Sequence, residues 1–385
     1  MTSEPGRTSM KILLHIRSLQ IGGSERQVVS LAKSMAELGH EVHVATVASG
    51  GPLEAELEGV PNIHLRSPGG SGMTGKLKYL LRLRSLIKSN EIDAVYGFLP
   101  TPNLALLIAR TLRHRPSITF GVRSSGLDLT QYSSRVKWAL RLEKWLSIFA
   151  DRVITNSKAA LEEYRQKGYP YSKLAHVPNA IDTDRFKPDP ADRNKLRNQI
   201  NISTDAPVVG LFARLHPMKD HLTFLQAAKI LVESTPNVRF ICAGGTSPEY
   251  SNYERRIKAN ATELGLDNIV LWLGPRNDPE KLMAACDLTT LTSNSGEGFP
   301  NSVAESMACG IPCVVTNVGD SPDIVSTYGA SVAPADPEQL ALKWKAILEQ
   351  NASEKAEMAI QARESILARY SPAAIAQATL DLVRR

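Results

Sequence analysis

Cysteine is scarce in this chain, four in 385 residues. Cys309 and Cys313 flank a Gly-Ile-Pro turn, and Cys242 and Cys286 lie in apolar surroundings. No second thiol pair or histidine cluster completes a zinc pattern, so buried free thiols are expected. Aromatic residues make up only 6%, and no aromatic-basic platform or recognised motif for nucleic acid is present. No apolar run reaches the ~18–20 residues that a membrane span needs. The first nine residues, MTSEPGRTS, are polar and lack a signal-peptide core. They are expected to be disordered, and the protein to stay in the cytoplasm.

What is present is the composition of a globular protein, 43% hydrophobic and 22% charged, in a chain long enough for two domains. The charge is uneven. Residues 1–185 carry 25 Lys and Arg against 16 Asp and Glu, a net +9, and the remainder carries 20 against 23, a net −3. A basic first half suits a polyanion or an anionic surface.

Short apolar runs alternate with helical patterns throughout, the signature of parallel sheets covered by helices. Strands are expected at Met10–Ile16, Glu41–Val47, Ala94–Gly97, Ser117–Val122, Arg152–Thr155 and Ala175–Val177. A helix is expected at Ser24–Leu38, where Val28, Val29, Leu31, Ala32, Met35 and Leu38 recur at helical spacing. A second series starts at Val208–Ala213, with a helix at about His221–Glu233. Strands follow near Arg239–Ala243, Ile269–Leu273, Leu288–Thr290 and Cys313–Thr316. Phe186–Pro207, rich in Pro, Asp, Arg and Asn, reads as the connection between the halves. The expectation is two doubly wound α/β domains facing a cleft, over residues 10–185 and 186–370, with ligands beyond the C-terminal strand ends. Residues 371–385 form a last helix.

The stretch SGEGFPNSVAESMACGIPC, Ser295–Cys313, carries the most chemistry. Glu297 and Glu305 stand eight residues apart around a Gly-Phe-Pro-Asn turn. Pro300 suits a first helical position, and the helix should run from about Asn301 to Cys309 before Gly310 and Pro312 stop it. Backbone N–H groups at such a terminus attract phosphate. A carboxylate beside that anion site is repelled unless it binds something else, such as hydroxyl groups. Phosphates and hydroxyls together suit a nucleotide-sugar.

This segment resembles the family 4 glycosyltransferases, whose signature is a Glu, seven residues and a second Glu in an EGFP context; here it is EGFPNSVAE. The resemblance covers roughly residues 10–385. It implies a GT-B fold, two Rossmann-like domains with an interdomain cleft, the last helix crossing back to the first domain, and retaining, metal-independent transfer from a nucleotide-sugar, UDP-linked by preference. GGSERQVVSLAKSMAELGHEVHVAT is similar to the family's opening glycine loop and helix. It places Gly22 and Gly23 beside the donor and makes Arg26 an acceptor-side candidate. GLFARLHPMKDHLTFLQAA is similar to its strand, Arg, loop, Lys and helix, so Arg214 and Lys219 become the cations for the donor diphosphate, a forked binder and a point charge. By the same resemblance Glu297 holds sugar hydroxyls and joins Arg214 and Lys219 as the catalytic set. Glu305 accepts from the ribose hydroxyls. The backbone of Gly298, Phe299, Pro300, Asn301, Ser302 and Val303 serves sugar and diphosphate, and Arg276 in LGPRNDPE is a candidate for the base-contacting loop.

Three readings stay open. Many relatives carry a His after the strand that here ends in TFGVRSS, and this chain has Arg123, a poor general base and an acceptor-side candidate for a phosphate. Asp182-Thr183-Asp184 matches the Asp-x-Asp of a metal-dependent glycosyltransferase fold, but it sits in a Pro-flanked hinge with no converging ligands, so no metal is expected. In Ser134–Phe149, Trp138, Leu142, Trp145 and Phe149 share one face beside Lys137, Arg141 and Lys144. Packing of that stripe on the sheet is the simpler expectation. An anionic inner-membrane surface, with a polyprenyl-diphosphate-linked glycan as acceptor, is the other. A nucleotide-sugar epimerase, a glycosyl phosphorylase and a non-enzymatic anion-binding module remain the alternatives. The acceptor is set by loops such as Ser67–Lys76 and Phe98–Asn103.

Overall fold

The computed structural model describes residues 9–20, 22–67, 72–111, 113, 115–123 and 134–384. Nearly all of the polar MTSEPGRTS segment, much of the Ser67–Lys76 loop and the serines of TFGVRSS lie outside the described residues. The chain divides into two units, residues 1–180 with 372–385, and residues 181–371.

Among the described residues, the first unit is built on seven parallel strands: β1 (Lys11–Ile16), β2 (Glu41–Thr46), β3 (Ile63–Arg66), β4 (Ala94–Phe98), β5 (Ser117–Val122), β6 (Arg152–Thr155) and β7 (Leu174–His176), in the order β3-β2-β1-β4-β5-β6-β7. Its helices are α1 (Gly23–Glu37), α2 (Gly72–Ser89), α3 (Pro100–Leu106), α4 (Ser134–Leu146) and α5 (Lys158–Gln166). Side chains alternate across a strand, and here both faces are apolar. Ile12, Leu14 and Ile16 pack with Val28, Leu31 and Met35 of α1. Leu13, Val95 and Phe120 pack on the other face with Tyr79, Leu83 and Ile87 of α2. The Phe98–Asn103 segment, expected as a loop, runs from the last residue of β4 into α3.

Helix α4 departs from the simpler of its two expectations. Its Trp138, Leu142 and Trp145, with Phe149 in the turn that follows, point to solvent, Trp138 and Trp145 being 67% and 74% exposed. The buried side carries Glu143 instead, whose carboxylate accepts from Asn103 Nδ2 at 2.5 Å and from the Tyr169 hydroxyl at 3.4 Å. Asn103 also clamps Gly121 at the sheet through its N–H (3.2 Å) and C=O (3.0 Å). A polar anchor, not the apolar stripe, therefore fixes the helix. Burial pushes the Glu143 carboxyl up to about 7.

The second unit has six parallel strands: β8 (Val208–Phe212), β9 (Arg239–Ala243), β10 (Val270–Gly274), β11 (Leu288–Leu291), β12 (Cys313–Thr316) and β13 (Ala330–Val332), in the order β10-β9-β8-β11-β12-β13. Around it lie α6 (Pro190–Gln199), α7 (His221–Ser234), α8 (Ser251–Glu263), α9 (Pro279–Ala284), α10 (Asn301–Ala308), α11 (Ser321–Val325), α12 (Pro337–Leu348) and α13 (Ala352–Tyr370). All four cysteines are buried free thiols.

The stretch Phe186–Pro207 is part of this unit and not a mere connection. Asp189 caps α6 by accepting from the Ala191 and Asp192 N–H groups at 3.0 and 2.9 Å. The buried Arg197 bonds Asp287 at 2.8 Å and the carbonyls of Ala285 and Ala206 at 2.9 and 3.0 Å. The division of the chain falls after Ala180, not after residue 185. Ile181 and Phe186 already belong to the second core, and Ile181 N donates to Tyr370 O at 2.8 Å. Ala180 closes the first unit by pairing both backbone groups with the Gln27 amide, each at 2.7 Å. The last helix, α14 (Pro372–Val383), adds Ile375, Ala376 and Leu380 to the core around α1.

Candidate active site

In the second sheet the strand order reverses between β8 and β11, whose register pairs Val209 with Leu288 and Leu211 with Thr290. Loops 213–220 and 292–300 therefore leave side by side at the C-terminal strand ends, where open α/β sheets take ligands.

The first of these loops is pinned by its neighbour after β9. Ala213 N donates to Ala243 O at 3.1 Å and Leu215 N to Gly245 O at 2.9 Å. Between them a Cβ on Gly244 would overlap the Ala213 carbonyl, so only glycine lets the two segments pass. Arg214 sits on this fixed backbone, exposed. His216 Nδ1 accepts from Met218 N at 3.1 Å and opens the turn Pro217–Lys219. Asp220, left-handed with φ 44°, then starts α7 and accepts from Thr223 N at 3.3 Å. Burial, then the charges of Arg214 and Lys219, hold the His216 pKa below its ordinary value, which sets both cations close to that ring.

The second loop is fastened to the first. Thr292 Oγ1 donates to Lys219 O at 2.8 Å, and Asn294 N to Met218 O at 2.9 Å. The Lys219 ammonium pairs with Glu297 Oε1, which also accepts from Ser293 Oγ. These side chains are only 15% and 7% exposed. A buried ion pair is weak as a source of stability and points to another use for the charges. Gly319, at φ +61°, packs from below: a Cβ there would lie 2.5 Å from Glu297 O. Asp320 N donates to Gly298 O at 3.0 Å.

Helix α10 starts where this loop ends. Pro300 is its N-cap (φ −76°, ψ 100°), so the helix begins at Asn301 as expected, with Pro300 just before it rather than at the first helical position. Backbone N–H groups at such a helix start attract anions. Phe299 anchors the turn by packing edge-on to Tyr370, ring centroids 5.0 Å apart, and Val303 is buried in the core. Asn301, Ser302 and Glu305 are half-buried along α10. Glu305 lies close enough to Cys309 that, after burial, its charge helps push that thiol up to about 12. Arg276, after β10, turns onto its own loop and bonds both oxygens of Asp278 at 2.8 and 2.7 Å.

The other candidates lie in the first unit. Gly22 is the N-cap of α1, Gly23 its first residue, and Arg26 closes the first turn by donating N–H to Gly22 O at 3.0 Å. Arg123 follows β5. Its Nη1 donates to Asn179 Oδ1 at 2.6 Å, its Nη2 to the Tyr96 hydroxyl at 3.0 Å, and the guanidinium stacks 4.8 Å from the Phe98 ring centroid. In the hinge-like segment, Asp182 Oδ1 accepts from Arg185 N at 3.0 Å. Among the described residues, Glu41, His43 and His64 form a cluster whose ligand atoms lie within 4.8 Å of one another. Glu41 Oε1 already accepts from the His43 imidazole at 3.1 Å and lies 3.3 Å from His64 Nε2, and Lys11 stands 3.9 Å from its other oxygen, so basic groups already surround the carboxylate.

Residues missed in the sequence support these groups: Thr292 and Ser293, which hold Lys219 and Glu297, and Gly244 and Gly319, which let backbones approach. The Gly after β9 and the Thr-Ser run before EGFP were the available signals.

Residues 192–365 match the model of Glycosyl transferases group 1, and residues 21–185 that of Glycosyltransferase Family 4. UDP-Gal:alpha-D-GlcNAc-diphosphoundecaprenol alpha-1,3-galactosyltransferase of Escherichia coli is 28% identical over 251 residues, covering 63% of this chain and 62% of that protein. D-inositol 3-phosphate glycosyltransferase of Thermobispora bispora is 24% identical over 360 residues, 85% of this chain and 82% of that one. Among solved structures, Anabaena HepE in complex with UDP superposes with a TM-score of 0.83 and 26% identity over 97% of this chain and 99% of HepE. Its complex with UDP-glucose gives 0.80 and 26% over 97% and 98%. With the two models together spanning most of the sequence and each of its two doubly wound units falling to one of them, the chain belongs to the family 4 glycosyltransferases and carries the GT-B fold.

Proposed function

We propose that this glycosyltransferase moves a hexose or N-acetylhexosamine from a UDP-sugar, with retention and without a metal, to a polyprenyl-diphosphate-linked or other glycan acceptor at the inner membrane face, in cell-surface polysaccharide or glycolipid synthesis. The observation that carries the reading is the buried Lys219–Glu297 pair beside the start of α10, with Arg214 on the adjoining loop. Support comes from HepE, which was solved with UDP and with UDP-glucose, and from the E. coli relative, named for a diphosphoundecaprenol-linked acceptor.

In this reading the donor diphosphate lies against Arg214, Lys219 and the backbone from Phe299 to Val303, and Glu305 accepts from the ribose hydroxyls. Gly22 and Gly23 allow the chain to come close to the donor. Glu297 accepts from sugar hydroxyls, so binding exchanges part of its contact with Lys219 for contact with substrate. Arg276 reaches the base only by releasing Asp278. The bond between the anomeric carbon and the β-phosphate oxygen breaks, the acceptor oxygen bonds the same carbon on the same face, and its proton passes to the departing phosphate oxygen. Arg214 and Lys219 stabilise the charge that accumulates there, an effect worth about 2.7–4 kcal/mol for one such donor in reference enzymes. Arg123 does not act as a base, since a guanidinium keeps its proton. It and Arg26 serve the acceptor side. The positive charge that a metal supplies elsewhere comes from the two cations and the helix terminus.

The test is release of UDP from a UDP-sugar by purified protein when acceptor is added, together with donor affinity of Lys219→Ala and Glu305→Ala. Both variants are expected to bind donor more weakly. Unchanged affinity in both overturns the site, and donor consumption without acceptor overturns transfer in favour of an epimerase or phosphorylase.

A further inference from the structure

Helix α4 is inverted relative to an ordinary domain helix. Its outer side and the turn after it expose Trp138, Leu142, Trp145, Ile148 and Phe149. Lys137, Arg141 and Lys144 lie among them, Arg141 standing 5.8 Å from the Trp138 ring centroid. Glu143, the single acid in the helix, is turned inward and fully buried, so its outward charge is entirely positive. The turn that ends the segment is satisfied by cations from elsewhere: Arg110 Nε donates to Phe149 O at 2.9 Å, and Lys173 Nζ to Ala150 O at 2.7 Å. On the same side of the sheet, α2 exposes Leu77 and Leu81 and carries five Lys and Arg without an acid.

We propose that this face of α4 seats the protein on an anionic lipid bilayer. Indole rings favour the boundary between headgroups and acyl chains, and flanking Lys and Arg meet lipid phosphates while their stems stay on the apolar side. Five large apolar side chains left in water on one short segment need a cover. A second copy of the chain is a poor one, because a two-fold pairing sets the basic row against itself. A bilayer of anionic lipid supplies both the apolar layer and the opposite charge. The proposal deepens the reading of a lipid-linked acceptor by naming the surface that brings the enzyme to it. It is tested without any transfer, so the two can fail separately.

The test uses the full chain and vesicles of phosphatidylcholine, with and without phosphatidylglycerol. Trp138 and Trp145 are two of the four tryptophans, so binding to anionic vesicles is expected to shift tryptophan emission to the blue, while neutral vesicles leave it unchanged. Trp138→Ser with Trp145→Ser should abolish the shift and reduce co-sedimentation at least about tenfold. Lys137→Gln with Arg141→Gln and Lys144→Gln should weaken binding about 100-fold. Both variants should keep the circular dichroism spectrum and melting temperature of the native chain, which shows that they remain folded. Absence of vesicle binding by the native chain overturns the proposal, as does binding that survives in both variants. A dimer of the native chain that the double tryptophan variant dissolves, or binding to acidic proteins in preference to vesicles, also overturns it.

Discussion

The two sheets run their first six strands in the same relative order, 3-2-1-4-5-6, yet they use the point of reversal differently. In the second unit, the loops after β8 and β11 bring a lysine and a glutamate together under cover. In the first, the corresponding loops after β1 and β4 bring Gly22 and Gly23, and the strained Leu99 at φ 76°. Its buried charge lies instead beneath α4, where Glu143 fastens a helix whose tryptophans face out. The same topology thus offers the same location, and the loop residues decide what that location does.

The sharpest way to break this contrast is to remove a charge from the second unit. Lys219→Met leaves Glu297 buried without its cation and the diphosphate without a point charge. Transfer, followed by UDP release, is expected to fall about 10²–10³-fold. Arg123→Met, in the first unit, should lower it far less if the pocket for the diphosphate lies wholly in the second.

Next in size is a pair of glycine substitutions. Gly319→Ala combines a left-handed backbone with a Cβ 2.5 Å from Glu297 O, and a loss of about 2–4 kcal/mol is expected in urea denaturation. Gly39→Ala, at φ +87° in the first unit, meets nothing within 4 Å and should cost only about 1–2 kcal/mol. Equal losses would show that close packing under the Glu297 loop is unimportant.

Titration separates the units more gently. His15 in the first and His221 in the second are each lowered to about 4 by burial, with Lys219 contributing at His221. A folded value below the unfolded one means that both units lose stability as pH falls from the ordinary imidazole range toward 4. Glu143 acts in the opposite sense. Its folded value, about 7, lies above the unfolded one, so its contribution is present in acid and is lost as pH rises from the carboxylate range through 7. Between about pH 5 and pH 8 that loss is on the order of 2–3 kcal/mol. Glu143→Gln should flatten this part of the stability profile, read from denaturation midpoints, and leave the His221 limb in place. The smallest effect is expected at Arg276→Ala, where an exposed pair with Asp278 is removed and stability should change by less than about 1 kcal/mol.

Much of this architecture was legible in the sequence because parallel strands buried on both faces read as continuous apolar runs: Ser117–Val122, Arg152–Thr155, Arg239–Ala243 and Cys313–Thr316 coincide with β5, β6, β9 and β12. The short edge strand β13 (Ala330–Val332), with only three residues, carries too little pattern, and neither does the IHLR of β3. Helix α6 was hidden by its polarity, since a buried Arg197 bound to Asp287 takes the place of an apolar stripe. For the α4 stripe the spacing was legible but its direction stayed open, because periodicity finds a face and not the way it points; the direction comes from Glu143, Asn103 and Tyr169, far apart in sequence. Around the candidate site, EGFPNSVAE and the Arg214–Lys219 spacing stood out, whereas the contact of Lys219 with Glu297 depends on β8 and β11 being neighbours, a long-range fact of strand order.

Calorimetric titration of UDP into the intact protein, Lys219→Met and Glu305→Gln tests the account most directly. The native chain should bind UDP, and each substitution should weaken binding by about 10- to 100-fold, as expected for loss of a charged hydrogen bond. Native-like UDP affinity in both variants would contradict the placement of the nucleotide against Lys219 and the start of α10.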